Sequence, residues 1–104
     1  MRLPKPNTLA GRALSRLLLR KSLTSIEFQG DTKTYRLGGY IHVLRTRYGW
    51  PVQSQIKTVT TSDHGRKAPI AVYSLNYDYK TSLLARYQEE IHEFCLAVKH
   101  FEEA

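Results

Sequence analysis

The chain has 104 residues, of which 41% are hydrophobic and 24% charged, as in an ordinary folded domain with one core. This composition excludes a disordered chain, and the single cysteine excludes an internal disulfide framework. The net charge of +7 is unevenly distributed, because residues 1–77 hold 13 Lys and Arg against 3 acids, whereas residues 78–104 hold 3 against 6. The first part therefore carries +10 and the last part −3, and a phosphate-rich partner is favoured for the first part.

The same features bear on the location of the protein. Cys95 falls in an apolar helical pattern where a buried thiol is inert, which favours a reducing, cytoplasmic setting. The apolar run 13–19 is interrupted by Arg16 and is too short for a signal peptide or a membrane span. We therefore expect no contact with a membrane.

The first 20 residues predict an arm followed by a helix. Two prolines within residues 1–7 favour an extended segment. From Leu9 onward, apolar residues recur at helical spacing with three arginines on another face. Helix 1 is therefore predicted over residues 9–20.

Residues 23–52 contain a short helix signal, a turn, a longer basic helix and an abrupt stop. This order is typical of a helix-turn-helix, in which the second helix of the motif can lie in a DNA groove. Ser25 is the predicted N-cap of the short helix, which is expected to end near Gln29.

The longer basic helix is predicted over residues 34–48. Thr34 can cap its start, and Gly49 and Pro51 end it. One apolar stripe of this helix is expected to face the core, and it consists of Leu37, Ile41, Leu44 and Tyr48.

The opposite, polar face of this helix predicts contact with double-stranded DNA, since Lys and Arg neutralise phosphates while a few side chains read base edges. The candidates on and beside the helix are Lys33, Tyr35, Arg36, Gly39, His42 and Arg45. Arg36 is the preferred base reader because a guanidinium pairs bidentately with guanine. The alternative for each arginine is an ordinary solvated surface position.

Gly38 and Gly39 are adjacent within this helix, where each costs about 1 kcal/mol relative to alanine. One explanation is close approach to a DNA backbone or base edge. The other is tight packing against helix 1 or 2. The sequence leaves both open.

A β-hairpin is predicted after the helix. Residues 52–60 are rich in Val, Ile and Thr, and residues 70–75 form a second strand-like run. The loop between them has a basic tip with Arg66 and Lys67, which are expected to contact phosphate or the minor groove. A helix-turn-helix followed by such a hairpin is a winged helix.

A long final helix is predicted from Asp78 to about Phe101. Its apolar residues follow steps of three and four, as in a coiled coil. The seam is interpreted as a homodimer surface, with packing back onto the winged domain as the alternative; its residues are Leu84, Tyr87, Ile91, Phe94 and Val98.

The sequence contains no motif typical of catalysis or of cofactor binding. The four histidines are dispersed, and no nucleophile elbow, phosphate loop or paired carboxylate motif is present. His92 and Cys95 are spaced to contact one metal ion, but two ligands without a second pair favour an exposed histidine beside a core thiol. We therefore expect no enzyme, no metal and no cofactor.

Several segments resemble a family of small winged helix-turn-helix proteins of bacteriophages and prophages. The likeness covers residues 9–75, and its motifs are Leu23-Thr24-Ser25-Ile26-Glu27, Ile41-His42-Val43-Leu44-Arg45 within 34–45, Gly49-Trp50-Pro51-Val52 and Tyr73-Ser74-Leu75. The resemblance implies a winged-helix fold and DNA binding, with regulatory or phage-replication roles. Tyr40 departs from it, because a basic residue is frequent there in such proteins. The helix after Asn76 lies outside it.

Together these observations predict an α+β winged helix-turn-helix of three helices and a β-hairpin wing, with an additional long C-terminal helix. The expected divisions are an arm at 1–7, the winged domain at 8–77 and the C-terminal helix at 78–104. The expected function is a phage-type transcriptional regulator or accessory factor that places helix 34–48 in the major groove. The alternative is a protein-interaction module that binds an acidic partner.

Overall fold

The computed structural model describes residues 1–60 and 65–104. Its elements are α1 (Leu9–Leu19), β1 (Leu23–Thr24), α2 (Ser25–Thr32), α3 (Leu37–Thr46), β2 (Val52–Thr60), β3 (Lys67–Leu75), α4 (Tyr77–Arg86) and α5 (Gln88–Glu103). The strands form one antiparallel sheet in the order β1-β3-β2. The predicted α+β arrangement of three helices and a hairpin is thus confirmed. The part of the predicted wing loop at residues 61–64 lies outside the described residues.

Helix α1 is the centre of the core. The Thr8 side chain accepts a hydrogen bond from the Gly11 amide at 3.1 Å and so caps the helix. Ala13, Leu14 and Leu17 are fully buried, and α1 packs against α3, α5 and β3. The helical spacing of these apolar residues therefore buries one side of α1 on three other elements.

Segment 1–7 contains no helix or strand, and it lies against the domain. The Trp50 indole N–H donates to the Arg2 carbonyl at 2.7 Å, and Pro4 is buried. The Lys5 carbonyl accepts from both the amide and the hydroxyl of Thr8, at 3.1 and 2.7 Å. These bonds hold the arm in place beside α1 and the turn after α3.

Helix α2 differs from its predicted bounds at both ends. Thr24, not Ser25, is the N-cap: its hydroxyl accepts from the Glu27 amide at 3.2 Å, and the Glu27 carboxylate accepts from the Thr24 amide at 2.9 Å. This reciprocal pair is a capping box. The helix continues through Gly30 and ends where Lys33 adopts a left-handed φ of 64°.

Helix α3 is shorter than the predicted 34–48. The Thr34 hydroxyl accepts from the Arg36 amide at 3.3 Å, which forms a turn and delays the helix to Leu37. The helix ends at Thr46, and Gly49 then takes a left-handed φ of 68°. Tyr35 and Arg36, which were predicted inside the helix, therefore precede it, as Lys33 does.

The wing is a long antiparallel hairpin, paired from Val52 opposite Leu75 to Thr60 opposite Lys67. Nine residues in each strand give a length of about 27 Å. Strand β1 pairs only with the near end of β3, at Tyr73 and Val72. Residues 53–58 are exposed on both faces of β2, so the far part of the wing projects from the domain.

The C-terminal part consists of two helices instead of the single predicted helix. Asn76, not Asp78, caps α4, because its side-chain oxygen accepts from the Tyr79 amide at 3.1 Å. At Tyr87 the backbone leaves helical geometry, with φ −124° and ψ 35°, and α5 begins at the next residue. The helix is interrupted there without a proline or glycine.

The apolar seam predicted as a dimer surface lies inside the protomer. Ile91, Phe94 and Val98 belong to the buried core, and Leu84 and Tyr87 are partly buried against it. The reason is that α5 packs back onto α1, which satisfies the seam within one chain. This corrects the interpretation of Ile91, Phe94 and Val98 as a homodimer contact, whereas for the partly buried Leu84 and Tyr87 that interpretation stays a prediction. Among the described residues, none of the helices has the length and hydropathy needed to cross a bilayer.

Candidate nucleic-acid interface

Helix α3 keeps one face in the core and presents the other to solvent. Leu37, Ile41 and Leu44 are buried, whereas Gly39 and His42 are exposed one turn apart. Within the described part of the chain, no atom lies within 4 Å of the place where a Cβ on Gly39 would stand. The polar face is therefore uncovered along the first two turns of the helix.

The fold does not require either glycine of α3. A Cβ on Gly38 would meet the Tyr73 hydroxyl at 3.6 Å, which is an ordinary van der Waals contact, and one on Gly39 would meet open space. Neither position has a positive φ. Packing against α1 or α2, the alternative left open by the sequence, thus does not explain the pair.

The turn before α3 brings three predicted contacts together at its N-terminus. Lys33 has the left-handed conformation that ends α2, Tyr35 is 77% exposed, and Arg36 is the exposed N-cap of α3. The N-cap makes no side-chain hydrogen bond to the first turn. The helix dipole and the first amides of a helix favour an anion at such an end.

Arg45 has a more restricted position than Arg36. Its Nε donates to the Val52 carbonyl at 3.0 Å, which ties the end of α3 to the base of the wing. A guanidinium has five N–H donors, so this bond leaves capacity for a phosphate. The geometry suits Arg45 for positioning the wing and contacting backbone better than for reading a base.

The wing carries further cations. Arg66 and Lys67 are exposed at its far end, as the sequence suggested, and Lys67 is the first residue of β3. Lys57 is exposed in the middle of β2 and was not singled out from the sequence. A lone lysine inside a strand-like run was its only signal, and the pattern alone does not show that both faces of that strand are exposed.

The described residues of α3 and the wing carry no acid, and Asp63, the one acid in the sequence between residues 33 and 77, lies outside the described residues. Residues 33–60 and 65–77 contain no Asp or Glu. Of the nearby acids, Glu27 is bonded in the α2 cap, and Asp31 accepts hydrogen bonds from Arg16 at 3.0 Å and Arg20 at 3.3 Å. The cations of α3 and the wing therefore add to one positive field.

The arginines of α1, in contrast, are used inside the molecule. Glu102 of α5 accepts from Arg12 Nε at 2.7 Å and from Arg16 Nη2 at 2.6 Å. Arg16 also reaches Asp31 of α2 and is almost completely buried. This network fastens α2 and α5 to α1, so it holds the helix-turn-helix in place.

The network also lowers the pKa values of its two carboxyl groups, Glu102 and Asp31. Burial would raise the pKa of Glu102, but its hydrogen bonds to Arg16 and Arg12 and their positive charges outweigh burial and lower the pKa below its ordinary value. Burial would also raise the pKa of Asp31, but the hydrogen bonds and positive charges of Arg16 and Arg20 outweigh burial and lower this pKa below its ordinary value. Both acids are therefore ionised at neutral pH.

The possible metal pair, His92 and Cys95, lines a surface hollow between α1 and α5. Burial raises the pKa of the Cys95 thiol, and a hydrogen bond with the Ser15 hydroxyl only partly offsets this. A raised pKa leaves the thiol protonated at neutral pH. In the described ranges, no group of three His, Cys, Asp or Glu side chains is placed to hold a metal ion.

Comparison with known proteins agrees with this geometry. No curated protein and no solved structure matches the chain. The family profile described as a winged helix-turn-helix domain matches residues 8–78, which is more than half of the chain. Winged helix-turn-helix domains bind DNA through the second helix of the motif, and here that helix is α3. The chain therefore belongs to the winged helix-turn-helix domain family.

Proposed function

We propose that this protein is a phage-type transcriptional regulator or accessory factor that acts in the cytoplasm and places α3 (Leu37–Thr46) in the major groove of double-stranded DNA. The observation that carries the proposal is the uncovered face of α3, where Gly38 and Gly39 have no role in the packing of the chain itself. A helix that gives up side chains on an open, positively charged face is suited to close approach by a polyanion.

Some of the proposed contacts would bind phosphates and position the protein, and others would read base edges. Lys33 and Tyr35 stand at the N-terminus of α3, where a phosphate also gains from the helix dipole. Arg36 follows them and is proposed to pair with a guanine edge. Gly39 admits the DNA close to the helix backbone, and His42 lies one turn further along the same face.

The wing would flank the helix on the DNA. Its exposed cations, Lys57, Arg66 and Lys67, are spread over the projecting half of the hairpin, which can follow a phosphate backbone or enter the minor groove. Arg45 would keep the wing at a fixed angle to α3 through its bond to the Val52 carbonyl. Affinity would thus come from both elements, and base preference mainly from α3.

A fluorescence-anisotropy titration of labelled genomic duplexes at two salt concentrations tests this proposal. With about four phosphate contacts, the affinity should fall roughly a hundredfold when the salt concentration rises fourfold. Arg86→Gln at the end of α4 is the control, since it removes one exposed cation outside the proposed interface. Absence of binding at the lower salt concentration, or binding that does not depend on salt, would refute DNA binding.

A further inference from the structure

One apolar side chain on α1 is not covered by the rest of the chain. Leu19 is 70% exposed, although the residues just before it, Leu17 and Leu18, are buried. It stands as a ridge between two hollows of about 310 and 420 Å³, both of which it lines together with Arg20. Such an arrangement exposes apolar area at a place with a defined shape.

The first hollow lies between α1 and α5. Its apolar part is formed by Leu96, which is 40% exposed, together with Val98 and Cys95. All of its lining residues belong to α1, α5 or Arg20, and none to α2, α3 or the wing. The face is therefore separate from the proposed DNA interface.

Ridge and hollow complement each other across two copies of the chain. If two copies meet about a two-fold axis, the Leu19 side chain of each can enter the α1–α5 hollow of the other, beside Leu96. A two-fold interface requires this kind of self-complementary patch. A projecting leucine and an apolar hollow next to it on one surface satisfy that requirement.

The charges around the two leucines are also complementary. Arg20 and Lys21 directly follow Leu19, whereas Glu93 precedes Leu96 by about one turn of α5 and Glu89 by about two. In the same two-fold pairing, Lys21 would lie opposite these acids of the partner's α5. Arg20 is already bonded to Asp31 at 3.3 Å, and Lys99, which lines the hollow, lies 4.0 Å from Glu103.

We propose that Leu19 and the α1–α5 hollow form the surface through which two copies of this protein associate. This surface is the outer face of α5, and it differs from the buried seam of Ile91, Phe94 and Val98. The dimer would carry two α3 helices and would bind two half-sites related by two-fold symmetry, a consequence that rests on the proposed function.

Sedimentation velocity without DNA tests the association itself. Between about 1 and about 100 µM, the wild type should change from its monomer mass of 12.0 kDa towards twice that mass. Leu19→Glu should weaken association by about tenfold or more, because it places a charge in an apolar hollow. Ile56→Glu on the wing is the matched control: Ile56 is 71% exposed and lies outside the surface, so association should not change.

A charge exchange tests the pairing. Lys21→Glu and Glu93→Lys should each weaken association several-fold, and the double variant should recover it. A monomer throughout the concentration range, equal effects of Leu19→Glu and Ile56→Glu, or no recovery in the double variant would overturn the proposal. Because DNA is absent from these measurements and Leu19 lies outside the DNA interface, a failure here leaves binding to a single half-site unaffected.

Discussion

Replacing Gly39 by alanine should separate the needs of the fold from the needs of DNA binding. The added methyl group would meet no atom within 4 Å, and the residue already has a helical conformation, so no strain offsets the gain in helix propensity. The free energy of unfolding should therefore rise by about 0.5 to 1 kcal/mol. For a domain of this size, 1 kcal/mol corresponds to an increase in Tm of about 4 to 8 °C.

The same methyl group should weaken DNA binding. It stands on the open face that we propose approaches the duplex, where it would hold the helix backbone away from the groove. We expect the Kd for a selected duplex to increase about tenfold or more, which is at least 1.4 kcal/mol. Thermal unfolding followed by circular dichroism and anisotropy titrations of the same preparation would give both quantities.

Gly30→Ala is the matched control, since a Cβ on Gly30 in α2 would also meet no atom within 4 Å. This variant should gain similar stability and keep its DNA affinity. If Gly39→Ala gains stability and binds DNA as tightly as the wild type, the glycine does not serve close approach and that part of the account fails.

Three further changes test other parts of the molecule. Arg36→Ala should cost about 1 to 3 kcal/mol on a selected duplex and relax the preference at one base pair; equal affinity for single-base variants before and after the change would exclude Arg36 as a reader. Lys67→Gln should weaken binding to all sequences alike and reduce the slope of affinity against salt by about 1, and an unchanged slope would place Lys67 outside the phosphate contacts. Glu102→Gln should lower the free energy of unfolding by about 1 to 3 kcal/mol at pH 7 in urea titrations, because two charge-assisted hydrogen bonds to Arg12 and Arg16 are weakened. The pKa of Glu102 in the folded protein is below its ordinary value of 4.5, so this stabilisation is present above pH 4.5 and is lost as the pH falls through the folded pKa. If the difference in free energy of unfolding between wild type and variant stays constant down to about pH 3, Glu102 does not stabilise the fold through these ion pairs.

The sequence predicted those features that depend on local periodicity. The apolar stripe of α3 and its exposed opposite face follow from helical spacing, and the strands of the wing follow from their β-branched residues. Helix ends were less accurate, because they depend on hydrogen bonds such as the Thr34 turn and the cap at Thr24. A glycine such as Gly30 weakens a helix without having to end it.

Long-range partners were not predictable from one sequence. The seam of α5 shows that one face of the helix must be covered, but periodicity does not show whether α1 or a second chain covers it. The sequence likewise placed three arginines of residues 9–20 on one face of the helix without showing what they contact. Their partner Glu102 lies 86 residues from Arg16 along the chain, and only the folded structure brings the two side chains to 2.6 Å. The net charge of +10 in residues 1–77 is therefore partly compensated by Glu102. The remaining positive charge includes the exposed cations of α3 and the wing.

Contact between the open face of α3 and DNA can be mapped by an NMR titration of the isotope-labelled protein with a selected duplex. We expect the largest amide shift changes at Gly38, Gly39 and His42, with a second group at Lys67 on the wing. Leu96, on the separate face formed with α1, should change little. Shifts concentrated around Leu96, with the amides of α3 unchanged, would contradict the account.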